Sequence, residues 1–298
     1  MQNRTENSPV IPPVMHGRTL DYATEIEVFR SEISKAGLSL PNEIIDDGRI
    51  HRFSSNGKTT DNAGWYVLFT DDIAAGAFGC WREDFKINWC SVDKAKLTQS
   101  ERYEFNKKMA EAKKQREQEE ERNRTKARNK ANHIWEQSSE APTDYPYLLK
   151  KKVQPHGLKL YGDKLVVPLY DQNQILQSLQ FIGPDGDKKF LVGGLTKGCY
   201  YQIGGAPDKI LYVAEGFATA ATVHEVTGSA VAVAFNANNL KPVAKVLREK
   251  FPNLEIVICA DDDHPTKGNP GISKAIEAAT ATRSKVVIPE FDGNRSDS

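Results

Sequence analysis

The last third of the chain alternates short apolar runs with helical segments, and this alternation limits the possible fold more than any other feature. Continuous apolar strands separated by helices are typical of a parallel sheet that is covered on both faces. The runs that we expect as strands are Ile210–Ala214, Ser229–Phe235, Leu254–Ala260 and Ser284–Pro289. The helices that we expect between them are Phe217–Val226, Leu240–Phe251 and Gly271–Arg283.

Acidic residues follow two of these runs directly. Glu215 and Gly216 come after the first run, and Asp261, Asp262 and Asp263 come after the third. Ligands of such sheets bind beyond the carboxyl ends of the strands, so these carboxylates converge if the two strands are neighbours. Asp261 and Asp263 alternate in an extended turn and can therefore point to the same side, away from Asp262.

Three converging carboxylates repel each other, and a divalent cation removes that cost. Hard oxygen ligands suit Mg²⁺ or Mn²⁺. We therefore predict a metal site formed by Glu215, Asp261 and Asp263, with Gly216 allowing a tight turn beside Glu215. A lone Asp at a strand end can equally cap the following helix. A Glu at one strand end and an Asp-x-Asp at another favour the metal site over that alternative.

The remainder of the chain changes composition several times. Residues 1–16 are polar and rich in proline, and residues 98–137 are dominated by charged residues and Gln without any Gly or Pro. The mixed charge of the second stretch favours a solvated connecting helix over a nucleic-acid arm. The predicted organisation is α+β and multidomain: a disordered leader (1–16), a small α+β N-terminal domain (17–97), a charged connecting helix (98–137), a β-rich region (138–206) and a C-terminal α/β domain (207–298).

Aromatic residues are concentrated in the N-terminal domain, within short strand-like runs bounded by turns. Such side chains can stack on nucleotide bases or form the core of a small sheet, and we favour the core. The residues concerned are Trp65, Tyr66, Phe78, Trp81 and Trp89.

Bulk properties exclude several classes of protein. The chain has 40 Lys and Arg and 40 Asp and Glu, so its overall charge gives no indication of nucleic-acid binding. Its four cysteines form no CxxC pair, which favours buried thiols over a structural zinc site. Because no apolar run approaches the length of a membrane span and no signal peptide is evident, we expect a soluble, cytoplasmic protein without a membrane partner.

At Glu215-Gly216 and Asp261-Asp262-Asp263 the sequence resembles the Toprim domain, the metal-binding module of bacterial-type primases, topoisomerases and some nucleases. The acidic run, followed by Gly268 and Gly271, is especially similar to phage- and plasmid-encoded primases. Stretches upstream are similar to the same proteins, so the resemblance extends over most of the chain. They are Gly64–Tyr66, Ala75–Gly79, Tyr147–Lys152, Leu165–Leu169, Leu179–Ile182 and Lys188–Gly194.

The resemblance implies a DNA primase that makes short RNA primers on single-stranded DNA from ribonucleoside triphosphates during phage or plasmid replication. By the family pattern, Glu215 is the general acid/base or metal-linked carboxylate, and Asp261 and Asp263 are Mg²⁺ ligands. A replicative helicase, in cis or in trans, is a further expected partner. Basic residues just before the catalytic unit are the candidates for nucleotide and template contacts, with Lys188 foremost: Lys150, Lys151, Lys152, Lys188, Lys189 and Lys197, beside Gly216.

Two alternatives share these residues. A Toprim nuclease would use the same acids to cleave a strand without nucleotides, and a non-catalytic replication module would bind nucleic acid without needing Asp261. The chain also departs from replicative primases in one respect, because its cysteines cannot form the zinc ribbon with which those primases usually begin.

Overall fold

The structure, a computed structural model, describes residues 22–71, 73–83, 85–261 and 269–289, without the side chains of Tyr22 and Lys94. The predicted leader therefore lies outside the described residues. The chain forms two compact units, with the boundary between Glu119 and Glu120. Among the described helices, none combines the length and the apolar character that crossing a membrane requires.

The N-terminal unit contains a four-stranded antiparallel sheet with the strand order β1-β2-β3-β4. A helix precedes the sheet, and a long helix begins after it and continues into the second unit. The elements are α1 (Tyr22–Lys35), β1 (His51–Phe53), β2 (Gly64–Phe69), β3 (Ala75–Cys80), β4 (Phe85–Cys90) and α2 (Gln99–Gln137).

Both faces of this sheet are covered. Phe29 and Ile33 of α1 pack with Tyr66 and Phe78 on one face, because residues three or four apart share one side of a helix. Ala112 of α2 packs with residues of β2 and β3 on the other. Side chains that alternate along β2 and β3 are therefore buried on either side. The expected aromatic core is confirmed for Trp65, Tyr66, Phe78 and Trp89, whereas Trp81 is only half-buried.

The C-terminal unit begins with a second antiparallel sheet, in the order β5-β6-β7-β8-β9. The C-terminal part of α2 packs on this sheet through Ala127, Ala131 and Ile134. The elements are β5 (Ser139–Glu140), α3 (Pro146–Lys151), β6 (Lys159–Tyr161), β7 (Lys164–Tyr170), β8 (Leu176–Ile182) and β9 (Lys188–Phe190).

A mixed sheet follows in the same unit, in the order β10-β12-β11-β13-β14. Its strands β11 to β14 run parallel, as the sequence predicted, and β10 is added antiparallel to β12. The elements are β10 (Tyr201–Ile203), β11 (Ile210–Ala214), α4 (Phe217–Thr227), β12 (Ala230–Val233), α5 (Ala237–Lys250), β13 (Glu255–Cys259), α6 (Pro270–Thr282) and β14 (Lys285–Val287).

Helices cover this sheet on both sides, which explains why its central strands β11, β12 and β13 are mostly apolar and buried. Leu211 and Val213 of β11 face the core that α5 and α6 cover. Tyr212 and Ala214 face the opposite core, which α4 covers. Because the interior positions of β11, β12 and β13 face these cores, charged groups near these strands lie at or beyond their ends.

Candidate active site

The two acidic motifs lie at the same edge of the parallel sheet. Strands β11 and β13 are neighbours, with Ala214 opposite Cys259. Glu215 is the next residue after β11. The backbone N–H of Ala260 still donates to the carbonyl of Val287 at 2.9 Å, so Asp261 is the first residue beyond this pairing. The neighbouring strands that the sequence interpretation required are therefore present.

The residues Asp262 and Asp263 lie outside the described residues, so the proposed ligand set is described only at Glu215 and Asp261. In the described part of the chain, no group of three or more His, Cys, Asp or Glu is arranged to hold a metal ion. The donors that are described are two partly buried carboxylates at adjacent strand ends. This chemistry fits a hard divalent cation such as Mg²⁺ or Mn²⁺.

A lysine from the preceding sheet lies beside these carboxylates. Burial and the nearby Lys151 ammonium lower the pKa of Lys188, while the charges of Asp261 and Glu215 act in the opposite direction. The structure thus brings together five of the predicted site residues: Lys151, Lys188, Glu215, Gly216 and Asp261. Lys189 follows Lys188 in β9 and faces the other side of that strand.

The tight turn that the sequence suggested at Gly216 is not present. Its backbone is extended, with φ −108° and ψ 156°, a conformation that any residue adopts. A Cβ at this position would lie 3.6 Å from Nζ of Lys188. That distance is an ordinary van der Waals contact, and it places Nζ of Lys188 near the N-terminus of α4, where no side chain caps the helix.

Sequence reasoning missed Thr219, which contacts one of the acids. Its hydroxyl donates to Oδ1 of Asp261 at 3.2 Å from the first turn of α4. This hydrogen bond holds the carboxylate of Asp261 toward the strand end that carries Glu215. Residue spacing along the sequence cannot predict this contact, because it joins a helix to a strand end 42 residues further along the chain.

Burial disfavours the thiolate form of the two cysteines near this sheet. Burial raises the pKa of Cys199 to about 12. Burial and the nearby charge of Asp261 raise the pKa of Cys259 to about 11. Both thiols therefore stay protonated at neutral pH, and the thiolate is the form that reacts or binds metal. The chemistry of this edge belongs to the carboxylates and lysines.

Residues 210–297 match the family model described as the Toprim domain. This part of the chain is a Toprim domain. The chain is also similar to two proteins from Escherichia coli named DNA primase TraC. One is 34% identical over 304 residues, covering 96% of this chain and 27% of the relative. The other is 32% identical over 290 residues, covering 90% and 20%.

The Toprim match and the identity along most of the chain confirm the resemblance to Toprim primases of the plasmid type. The chain spans about a quarter of the first of these relatives and a fifth of the second. Among solved structures, the primase fragment of the bacteriophage T7 primase-helicase protein aligns with 48% of this chain and 63% of its own. That alignment has 20% sequence identity and a TM-score of 0.38, a similarity that adds nothing to the assignment.

Proposed function

We propose that this chain synthesises short RNA primers on single-stranded DNA from ribonucleoside triphosphates during plasmid or phage replication. The observation that carries the proposal is the meeting of Glu215, Asp261 and Lys188 at one edge of the Toprim sheet. The names of the two TraC relatives support it. Because the chain spans only part of those relatives, its activity, substrates and partners are all part of the proposal.

The acidic residues take the metal-linked role. Glu215 and Asp261, with Asp263, would hold Mg²⁺ or Mn²⁺, whose bound charge would offset that of the triphosphate. In primer extension, a 3′-hydroxyl oxygen attacks the α-phosphorus of the incoming nucleotide and pyrophosphate leaves. Glu215 is the candidate to accept the hydroxyl proton. The hydroxyl of Thr219 keeps Asp261 oriented throughout.

The lysines bind phosphate in this proposal. Lys188 reaches the N-terminus of α4 beside Gly216, and a helix N-terminus also favours negative charge. Lys151 adds a second positive charge nearby. Lys189 and Lys197 would contact the nucleotide or the template further from the carboxylates.

A replicative helicase in cis or in trans would present the template, and the protein would act in the cytosol of a bacterial host. Residues 17–97 would form a separate N-terminal domain, joined through the helix at 98–137 to the β-rich region (138–206) and the Toprim domain (207–298).

A primer-synthesis assay tests the proposal. The purified chain is incubated with single-stranded DNA, labelled ribonucleotides and Mg²⁺ or Mn²⁺, and the products are separated on a denaturing gel. We expect short RNA products whose formation depends on the metal. The variant Asp261→Asn should lose at least about 100-fold in rate, because a metal-linked carboxylate becomes neutral. Asp208→Asn is the matched control, since exposed Asp208 lies just before the opposite end of β11.

The outcomes separate the alternatives. Metal-dependent cleavage of the DNA without any need for nucleotides would identify a nuclease instead. A non-catalytic module would make no primers on varied templates as the wild type or as Asp261→Asn. Its nucleic-acid binding would be unchanged by Asp261→Asn. Equal losses in Asp261→Asn and Asp208→Asn would remove the argument from the strand-end carboxylate.

A further inference from the structure

The segment after β9 leaves its sheet and carries Lys197. The backbone N–H of Leu191 still donates to the carbonyl of Leu179 at 2.9 Å, next to the last pair of the β8–β9 ladder. Gly194 then passes close to β8, where a Cβ would lie 2.1 Å from Oγ of Ser178. From there the chain turns at residues 196–199, with Gly198 at φ +74° and Lys197 exposed. The position of Lys197 therefore depends on what holds this turn.

One buried side chain holds it. Asn239, in the first turn of α5, is only 5% exposed. Its Nδ2 donates to the carbonyls of Thr196 and Cys199, both at 3.1 Å. Its Oδ1 accepts from the backbone N–H of Gly198 at 2.8 Å. One amide thus binds the backbone on both sides of Lys197.

The same amide is tied to the carboxyl edge of the Toprim sheet. The carbonyl of Ala234 also lies 2.8 Å from Nδ2 of Asn239, so the two N–H groups of this amide are shared among three carbonyls. The backbone N–H of Ala234 donates to the carbonyl of Ala214 at 2.8 Å, and Ala214 directly precedes Glu215. The connection from Lys197 to the candidate catalytic edge therefore runs through a buried side chain and two backbone groups.

An aromatic contact joins Phe190, where the segment that carries Lys197 begins, to the C-terminal end of β12. Phe235 follows Ala234 and adopts a left-handed backbone conformation, with φ +74°. Its ring meets that of Phe190, the last residue of β9, edge to face with the centroids 6.1 Å apart. A non-glycine residue rarely adopts this conformation, and it persists only where the surroundings hold it. This second anchor lies before the turn at residues 196–199, which Asn239 holds directly.

We infer that Asn239 is a positioning residue that sets Lys197 at the carboxyl edge of the Toprim sheet, so that its ammonium binds phosphate of the nucleotide or of the template strand. The inference rests on the proposed function and assigns a specific support to one of its phosphate-binding lysines. Replacement of the amide removes the hydrogen bonds of Asn239 to the N–H of Gly198 and the carbonyl of Cys199, and leaves the carbonyl of Thr196 with the N–H of Cys199 at 3.0 Å. The turn then moves, and Lys197 no longer meets the phosphate.

The test compares Asn239→Leu with Asn236→Ala in the full chain. Oδ1 of Asn236 accepts from the backbone N–H of Asn239 as the N-cap of α5, and no described hydrogen bond joins its side chain to the turn at residues 196–199. Both variants should lower the melting temperature. Amide hydrogen exchange at residues 196–199 should become faster only in Asn239→Leu.

A double-mutant cycle with Lys197→Ala then tests function. Asn239→Leu and Lys197→Ala should each weaken phosphate binding about tenfold, as expected for loss of a hydrogen bond to a charged group. The double variant should be no weaker than the single ones, because both changes remove the same contact. Affinity for a single-stranded oligonucleotide reports the template strand, and the KM for ribonucleotides reports the nucleotide. Additive losses, or unchanged values in both measurements, would overturn the inference.

Two precautions keep the outcome decisive. If Asn239→Leu does not fold, Asn239→Ser takes its place, since it keeps a small polar group but cannot reach the three carbonyls. Failure of the proposed function is recognised separately, because the wild type would then make no primers. Hydrogen exchange and oligonucleotide binding require no synthesis and would still decide whether Asn239 positions Lys197.

Discussion

The antiparallel sheet of the N-terminal unit and the parallel sheet of the Toprim domain use their side chains in opposite ways. In the first, the large aromatic residues lie inside, with Trp65 and Tyr66 each only 2% exposed. In the second, the strands contribute mainly aliphatic residues to two cores, and acidic residues come within two positions after β11 and β13. The aromatic residues of the first sheet are thus part of its core, whereas the acidic residues of the second lie beyond the ends of its strands.

Topology explains the difference. Neighbouring antiparallel strands end at opposite edges, so residues that follow them are distributed over both ends of the sheet. Parallel strands all end at one edge, so residues that follow β11, β12 and β13 come together there. Substitutions in the first sheet should therefore change stability, and substitutions at the edge of the second should change activity.

The largest expected effect concerns the core of the N-terminal unit. Trp65→Ala should destabilise this unit by about 3–5 kcal/mol, because it removes a buried aromatic side chain and leaves a cavity. Hydrogen exchange should become faster in β2 and β3 and stay unchanged in β11 and β13. Tyr103→Ala is the control, since Tyr103 is 68% exposed on α2. A loss of oligonucleotide binding in Trp65→Ala without any loss of stability would contradict the assignment of this tryptophan to the core.

The opposite result is expected at the edge of the Toprim sheet. Glu215→Gln keeps the shape of the side chain and removes its charge, so the rate of primer synthesis should fall about 100- to 1000-fold. The melting temperature should not fall, because two nearby carboxylates no longer repel each other. Thermal unfolding and the gel assay measure the two quantities on one preparation. A large fall in stability with little loss of rate would mean that Glu215 stabilises the fold, as residues of the N-terminal sheet do, and does not act in synthesis.

A buried carboxylate in the N-terminal unit gives the third contrast. Burial alone would raise the pKa of Asp61, but hydrogen bonds from the hydroxyl and the backbone N–H of Ser55, together with Arg82, lower it to about 2. The two bonds from Ser55 measure 2.8 and 2.6 Å. Since the pKa is lower in the folded state, the stabilisation is complete above the unfolded pKa near 3.8 and is lost as the pH falls through about 2.

Asp61→Asn should therefore cost about 1–3 kcal/mol at neutral pH, because a charged hydrogen-bond acceptor is lost. The difference from wild type should shrink as the pH falls from about 5 to about 2. Hydrogen exchange in β2, followed as a function of pH, measures it. Glu83→Gln, at an exposed position of the same unit, should show no such dependence. A difference that stays constant over this pH range would show that the charge of Asp61 is not responsible.

The sequence was sufficient for the parts of the fold that depend on local pattern. The apolar runs predicted the parallel strands, and the residues directly after them predicted that Glu215 and Asp261 share one edge. The strand β10 was not predicted, because three residues give no periodic signal and pairing with β12 decides their conformation. Asp263 lies outside the described residues, so its assignment as a metal ligand stays a prediction.

The supporting contacts of the site were beyond sequence reasoning for a physical reason. Thr219 and Asn239 lie in the first turns of α4 and α5, where threonine and asparagine carry no signal of their own. Their importance arises from the groups that the fold brings to them, which are Asp261 in one case and the backbone around Lys197 in the other. Strand-end acids can be identified from order along the chain, whereas these partners require the tertiary structure.

The smallest expected effect concerns the hydrogen bond from Thr219 to the carboxylate of Asp261 and its contribution to the rate of primer synthesis. Thr219→Val removes the hydroxyl that donates to Asp261 and keeps the branched shape, so primer synthesis should slow about three- to tenfold, the value of one hydrogen bond. Thr219→Ser should restore most of the rate.

Thr227→Val is the matched control in the same helix, because the hydroxyl of Thr227 donates only locally, to the carbonyl of Val223 at 2.7 Å. If Thr227→Val slows synthesis as much as Thr219→Val does, the loss reflects the stability of α4 and not the orientation of Asp261. If Thr219→Val leaves the rate unchanged, then the hydroxyl of Thr219 is not needed to orient Asp261.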